Sequence, residues 1–169
     1  MPQSVLIEDV SIVMPVKDGS VYIEKSLRNL VEMAGHAEIV IIDDGSVDGT
    51  WEYCQEFANS YDNVIVRKNP GSGICDSLNY GIQIARGNWI ARVDVDDEYP
   101  KNRLSKQLEV LNSSNAILVF SDYAFISDGE SGLGSMESGV FNLPTKISLI
   151  TSRRTAHPSA LFSKQAFVS

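Results

Sequence analysis

The chain has 169 residues, with 14 Lys and Arg against 22 Asp and Glu, a net charge of -8 and 43% hydrophobic residues. That length and mixture fit one globular domain over residues 1–169 and exclude a disordered chain. The acidic balance argues against a nucleic-acid partner, because it repels phosphate backbones, but a divalent cation can still bridge carboxylates to a phosphorylated small molecule.

The N-terminal Met1-Pro2-Gln3-Ser4 carries no basic region ahead of an apolar stretch, so no signal peptide is expected. Val10-Ser11-Ile12-Val13-Met14-Pro15-Val16 reads as a buried strand closed by a polar turn, Lys17-Asp18-Gly19-Ser20, with Ser20 placed to cap a helix. Ile23, Leu27, Leu30, Val31 and Ala34 recur at helical spacing, and Gly35 ends that helix. A second strand over residues 38–42 stops at Asp43-Asp44-Gly45-Ser46, and Asp48 can cap the helix that carries Trp51, Cys54, Phe57 and Ala58. A third strand over residues 63–67 leads through Asn69-Pro70-Gly71-Ser72-Gly73 into a helix with Leu78, Ile82 and Ala85, stopped by Gly87. A fourth strand over residues 89–93 ends at Asp94-Val95-Asp96-Asp97. Leu104, Leu108 and Leu111 mark a further helix, and residues 117–120 a fifth strand. Beyond these, residues 128–135 read as a turn or hairpin tip, residues 144–150 as a short helix and residues 159–162 as one more strand.

Strands alternating with helices predict an α/β fold, a Rossmann-like and mostly parallel sheet with helices on both faces. Ligands in such sheets sit beyond the carboxyl ends of the strands. Lys17-Asp18, Asp43-Asp44 and the cluster from Asp94 to Asp97 all fall there.

Asp94 and Asp96 point the same way if their segment stays extended. Carboxylates held that close repel one another, and Mg²⁺ or Mn²⁺ would remove the cost. The plain alternative is a solvated turn at a strand end. Asp43-Asp44 reads by itself as a helix cap and turn, which Gly45 and Ser46 suit, ahead of the alternative that one carboxylate accepts from a base or ribose. Gly71-Ser72-Gly73 opens a helix and can hold phosphate on backbone N–H groups, but it lacks the Walker lysine and the full dinucleotide glycine fingerprint. Asp76 lies one turn into that helix and suits its N-terminus electrostatically. Arg153-Arg154 can clamp a diphosphate or form a solvated pair. His36 is expected in an exposed turn. Cys54 and Cys75 lack metal-ligand spacing and read as two reduced thiols.

Taken together, these clusters resemble family 2 glycosyltransferases of the GT-A fold. Residues 11–19 resemble the family's opening strand, although Lys17 and Asp18 stand where an aromatic residue and Asn are usual. Asp43-Asp44-Gly45-Ser46-Val47-Asp48-Gly49-Thr50 resembles its next motif. Residues 73–90 resemble the helix and strand before the DxD motif, which Asp94-Val95-Asp96-Asp97 matches. Ala156-His157-Pro158-Ser159-Ala160-Leu161-Phe162 resembles an acceptor-side segment.

The resemblance implies transfer of a sugar from a nucleotide-diphospho-sugar donor to the hydroxyl of a saccharide or lipid-linked acceptor, with inversion and with Mg²⁺ or Mn²⁺. Such chemistry commonly serves polysaccharide or cell-envelope glycan synthesis. Pro15 and Val16 would line the base pocket with Asp18 nearby. Asp44 would bond the base, supported by Asp43. Asp76 would lie along the nucleotide cleft. Asp94 would approach the ribose or metal, and Asp96 would be the principal metal ligand with Asp97 close by. The general base would lie beyond Ser169, so the expectation is a donor site without its acceptor side, a piece that binds nucleotide and transfers sugar poorly. A cytoplasmic location is expected, with peripheral membrane association at the inner face through regions outside this chain. The main alternatives are a receiver-type phosphoacceptor domain, a sugar-phosphate nucleotidyltransferase and a non-catalytic nucleotide-sugar-binding module. A receiver would place its acidic pair after the first strand rather than the second. A nucleotidyltransferase would need more glycine after the first strand than residues 15–19 supply.

Overall fold

A computed structural model describes residues 4–121, 123–127, 130–134 and 157–168. Its main sheet has six strands in the order β3-β2-β1-β4-β8-β5. Four of them, β1 (Val10–Val16), β2 (Glu38–Asp43), β3 (Val64–Lys68) and β4 (Trp89–Arg92), run parallel. β5 (Leu118–Val119) and β4 flank β8 (Leu161–Ser163), which is antiparallel to both. The sheet is therefore mixed at one side, with a mostly parallel body.

Side-chain alternation divides the helices between the faces. Ile12, Met14, Ile39, Ile41, Ala91 and Val93 point into a core closed by α1 (Ile23–Ala34), α2 (Thr50–Ala58) and α4 (Arg103–Asn112). Val13, Val40, Ile42 and Ile90 point the other way, against Ile82 and Ala85 at the end of α3 (Ile74–Ile84). Helices on both faces explain why β1 and β2 are buried at every position. Gly81 lets α3 approach closely, since a Cβ there would lie 2.5 Å from Val13 Cγ1.

The amino ends of the strands are locked by one buried carboxylate. Glu38 Oε2 accepts from Ser11 Oγ and from the Arg86 backbone N–H, and Glu38 Oε1 accepts from Arg86 Nε. Ser11 Oγ accepts in turn from the Gly87 N–H. This network ties the α3–β4 link beneath the sheet and leaves the carboxyl ends open for the loops.

Several local expectations change. α1 begins at Ile23, so Ser20 is not its N-cap; the Ser20 N–H donates to Asp48 Oδ2 across the loops instead. The expected hairpin is present but its second strand takes in residues 130–134: β7 (Glu130–Gly134) pairs antiparallel with β6 (Tyr123–Ser127) in a separate two-stranded sheet. Residues 157–159 are a 3-10 turn leading into β8, and a last helix, α5, covers Lys164–Val168. The helix expected over 144–150 and the pair Arg153-Arg154 lie outside the described residues. Cys54 is buried and Cys75 exposed, both as free thiols, and His36 is exposed. Among the described residues no helix is long and apolar enough to cross a membrane.

Candidate donor-binding cleft

Three loops meet at the carboxyl ends of β1, β2 and β3, and side chains rather than ladders join them. Asp18 takes a left-handed conformation (φ 48°), donates its N–H to Ser46 Oγ at 2.9 Å and accepts the Val47 N–H on Oδ1 at 2.9 Å. The Gly19 N–H donates to Thr50 Oγ1, and Asp48 accepts from the Thr50 and Ser20 N–H groups. The N-cap of α2 is Gly49 rather than Asp48, which stands one residue earlier, satisfies the first helical N–H from there and also staples α2 to the β1–α1 loop. These bonds hold its carboxyl well below the ordinary range, the Thr50 hydroxyl contributing most.

Asp43 and Asp44 face opposite sides of the sheet. Asp43 continues the Ile39–Ile41 face and is buried. Its Oδ2 accepts from the Gly45 and Ser46 N–H groups, both at 3.1 Å, and its Oδ1 has no partner among the described residues. Its charge and the burial of α2 push the Cys54 thiol up to about 12, burial being the larger cause. Asp44 faces α3. It accepts from Asn69 Nδ2 at 2.7 Å and from the Gly73 N–H at 2.9 Å and 3.0 Å on its two oxygens. Lys17 Nζ stands 3.9 Å away, a long and weak ion pair between an exposed lysine and a largely covered carboxylate. The Asn69 hydrogen bond, then the Gly73 N–H, hold the Asp44 carboxyl below its ordinary value.

The β3–α3 loop does not present a phosphate cradle. The Gly71 N–H donates to Asn69 Oδ1, the Ser72 N–H to Asp76 Oδ2 and the Gly73 N–H to Asp44. All three amides are occupied within the protein. Asp76 closes its own loop, and a Cβ at Gly71 would sit 2.4 Å from Asp76 Oδ2, so a larger residue there would displace that carboxylate.

At the end of β4 the chain turns instead of staying extended. The Asp97 N–H points to the Asp94 carbonyl at 3.4 Å, so the same-side geometry expected for Asp94 and Asp96 does not hold. Val95 packs toward the core beside Gly19, where a Cβ would meet its methyls at 3.4 Å. Asp94 is half-buried, with one Arg92 nitrogen 3.0 Å and 3.1 Å from its two oxygens. Asp97 Oδ2 accepts from the Tyr99 hydroxyl at 3.2 Å. Asp96 is exposed and makes no hydrogen bond or ion pair among the described residues. Burial raises the carboxyls of Asp94 and Asp97, and the neighbouring carboxylates add to it. Among the described residues no three ligating side chains already converge on one point. Mg²⁺ and Mn²⁺ do not require that: Mg²⁺ typically uses one or two carboxylates and leaves other positions to water and phosphate oxygens. The donor set fits such an ion, with Asp96 free to ligate and Asp94 or Asp97 beside it.

Pro15 and Val16 are buried at the end of β1. Val16 turns its side chain into the core, and its carbonyl accepts the Asp44 N–H. What Val16 can offer a ligand is therefore backbone. β2 and β4 flank β1, so Asp44 and Asp94 stand about two strand spacings apart, roughly 10 Å. They cannot share an ion whose ligand bonds are about 2.1 Å, but they can contact two ends of one extended ligand. Arg92, Asn69, Tyr99 and Arg103 were not among the residues singled out from sequence. Only the position of Arg92 two residues before the acidic cluster, and of Tyr99 two after it, hinted at them.

The match to known proteins follows this geometry. The family model described as Glycosyl transferase family 2 matches residues 11–167. A putative teichuronic acid biosynthesis glycosyltransferase, TuaG, of Bacillus subtilis is 28% identical over 120 residues, covering 70% of this chain and 48% of that protein. TarS 1-349 of S. aureus in complex with UDP-GlcNAc superposes with a TM-score of 0.74 at 20% identity, covering 94% of this chain and 46% of the other. The mannosyltransferase PcManGT of Pyrobaculum calidifontis, in complex with GDP-Man and Mn²⁺, gives 0.61 at 21% identity, covering 70% and 36%. The chain spans about half the length, or less, of the relatives it matches. The fold is that of the GT-A enzymes, and the receiver alternative is not favoured, since the acidic pair closes the second strand and the family match spans nearly the whole chain.

Proposed function

The chain belongs to glycosyl transferase family 2, and from that premise we propose that its strand-end cleft holds a nucleotide-diphospho-sugar donor, as one domain over residues 1–169. The observation that carries this reading is the turn at the end of β4. Three carboxylates crowd there, two of them raised by burial and mutual repulsion and the third exposed without a partner. Such a cluster is costly until a divalent cation binds.

Asp96 would be the principal ligand for Mg²⁺ or Mn²⁺, with Asp94 and Asp97 beside it. An ion held by these carboxylates would supply positive charge to offset that building on the diphosphate leaving group. At the other end of the cleft, Asp44 would bond the base beside Pro15 and Val16, while Asp43 fixes the β2–α2 loop that carries Asp44. Asp18 holds the β1–α1 loop over the same end, and Lys17 offers a cation to the base or ribose. Asp76 acts on the cleft only through the loop it closes. The PcManGT and TarS structures hold nucleotide-sugars, in the first case with Mn²⁺, which supports the same ligand class here.

Inverting transfer needs a base for the acceptor hydroxyl. Asp43, Asp44, Asp94 and Asp97 are each engaged by N–H, guanidinium or hydroxyl donors, so the base is assigned to a region outside these strand ends. The acceptor is proposed to be a saccharide or lipid-linked sugar of cell-envelope glycan synthesis, the process named for TuaG. That chemistry would be done at the inner face of the cytoplasmic membrane.

The test is Asp96→Ala. It should abolish the Mn²⁺-dependent part of nucleoside-diphosphate binding without altering the thermal midpoint. Undiminished Mn²⁺-dependent binding by the variant would contradict the assignment.

A further inference from the structure

The carboxylate turn is weakly held by its own backbone. Its single closing bond, from the Asp97 N–H to the Asp94 carbonyl, is long at 3.4 Å. What fills the turn is the hydroxyl of Tyr99. It accepts the Asp94 N–H at 2.7 Å, and it lies 3.2 Å from Asp97 Oδ2 and 3.3 Å from the Asp94 carbonyl. One proton cannot serve both acceptors at once. The charged and nearer Asp97 takes it, because a hydrogen bond to an ionised acceptor is the stronger one.

Tyr99 is itself pinned from two helices. Asn29 on α1 clasps its backbone, accepting the Tyr99 N–H at 2.7 Å and donating Nδ2 to the Tyr99 carbonyl at 2.8 Å. Arg103 on α4 lays its guanidinium over the ring, 4.7 Å from the centroid. Tyr99 is 9% exposed and Arg103 5%, although Glu98 and Pro100 between and beside them are exposed. Arg103 Nη2 donates to the Arg92 carbonyl at 2.9 Å, which fixes the last residue of β4. Its Nε and Nη1 have no partner among the described residues. Burying a guanidinium with two unpaired N–H groups is expensive. Its charge faces an aromatic ring and an acidic turn.

We propose that Tyr99, clasped by Asn29 and braced by Arg103, is a positioning residue that presets the Asp94–Asp97 turn for a divalent cation held with a nucleoside diphosphate. The inference rests on the donor-site reading and assigns the geometry of that site to residues outside the acidic cluster. Two rigid helices hold the turn through one hydroxyl, so the carboxylates need not be reorganised when the ion arrives. Tyr99 touches neither ion nor donor in this scheme; it acts through Asp97 and the Asp94 backbone.

Tyr99→Phe removes the hydroxyl and keeps the ring, its packing and its contact with Arg103. Mn²⁺ affinity is read from the free-ion electron paramagnetic resonance signal in the presence of UDP or GDP, with the thermal midpoint measured alongside. The expected result is a fall in Mn²⁺ affinity of about tenfold or more, typical for loss of a residue that orients a metal ligand, with a midpoint close to that of the parent chain. Arg103→Met should show the same selective loss. Mn²⁺ affinity within about twofold of the parent in Tyr99→Phe would overturn the proposal while leaving the donor site standing. A parent chain that binds no Mn²⁺ with either nucleotide would overturn both.

Discussion

Replacing Asp44 by Asn separates the charge of this residue from its shape. In the parent chain Oδ1 receives Asn69 Nδ2 and the Gly73 N–H, while Oδ2 receives the Gly73 N–H and faces Lys17. An amide can keep its oxygen toward Asn69, but its NH₂ then meets the Gly73 N–H and Lys17, donor against donors. Two charge-assisted bonds become neutral, each change amounting to about 1 kcal/mol. Lys17 is exposed and its ion pair long, so the lower part of the combined range applies, about 1–2 kcal/mol. For a domain of this size that lowers the thermal midpoint by roughly 3–6 °C. The pH dependence identifies the cause. The hydrogen bonds to Asn69 and Gly73 depress the folded-state value of Asp44, so its contribution is complete above the unfolded value of about 3.9 and is lost as pH falls through the folded value. The gap between parent and Asp44→Asn should therefore be widest at pH 6–8, by about the margin above, and should close as the medium is taken below about pH 4. Thermal unfolding followed by circular dichroism across that range is the assay. An equal gap at both ends of the range, or none at neutral pH, would refute the view that a charged Asp44 holds the β3–α3 loop.

Other expectations follow from the same structure. Gly81→Ala places a methyl 2.5 Å from Val13 Cγ1 and 3.1 Å from Ile42 Cγ1 inside the core beneath α3, and should cost about 1–3 kcal/mol in urea unfolding. An unchanged midpoint would mean that α3 sits farther from the sheet. Asp96→Ala should leave unfolding unchanged while removing Mn²⁺-dependent nucleotide binding, because Asp96 is exposed and unpartnered. Tyr99→Phe should weaken Mn²⁺ binding without comparable loss of stability, as set out above.

The parts of the fold that were legible in the sequence are those set by local pattern. β1 occupies the whole predicted run because every one of its residues is buried between helix layers. α1 stops where Gly35 takes a positive φ of 57°, and Asp48 stands at the start of α2, where it accepts the Thr50 N–H although Gly49 is the N-cap. What was not legible depends on partners distant in sequence. Ser20 has the right type for a cap, yet residues 20–22 form a turn and α1 begins only at Ile23, while the Ser20 N–H bonds Asp48, 28 residues away. The acidic cluster reads as an extended DxD segment, but Tyr99, clasped by Asn29 from 70 residues earlier, sets it as a turn. Gly71-Ser72-Gly73 has the composition of an anion loop, and only the positions of Asn69, Asp76 and Asp44 reveal that its amides are already occupied. The antiparallel insertion of β8 between β4 and β5 likewise rests on pairings no local pattern encodes.

The most direct test of the donor-site reading is calorimetric titration of the chain with UDP, GDP and dTDP, each with and without Mn²⁺. Saturable binding of at least one nucleotide, tightened by Mn²⁺ in the parent chain and not in Asp96→Ala, is the predicted result. No Mn²⁺-dependent binding of any of the three would contradict it.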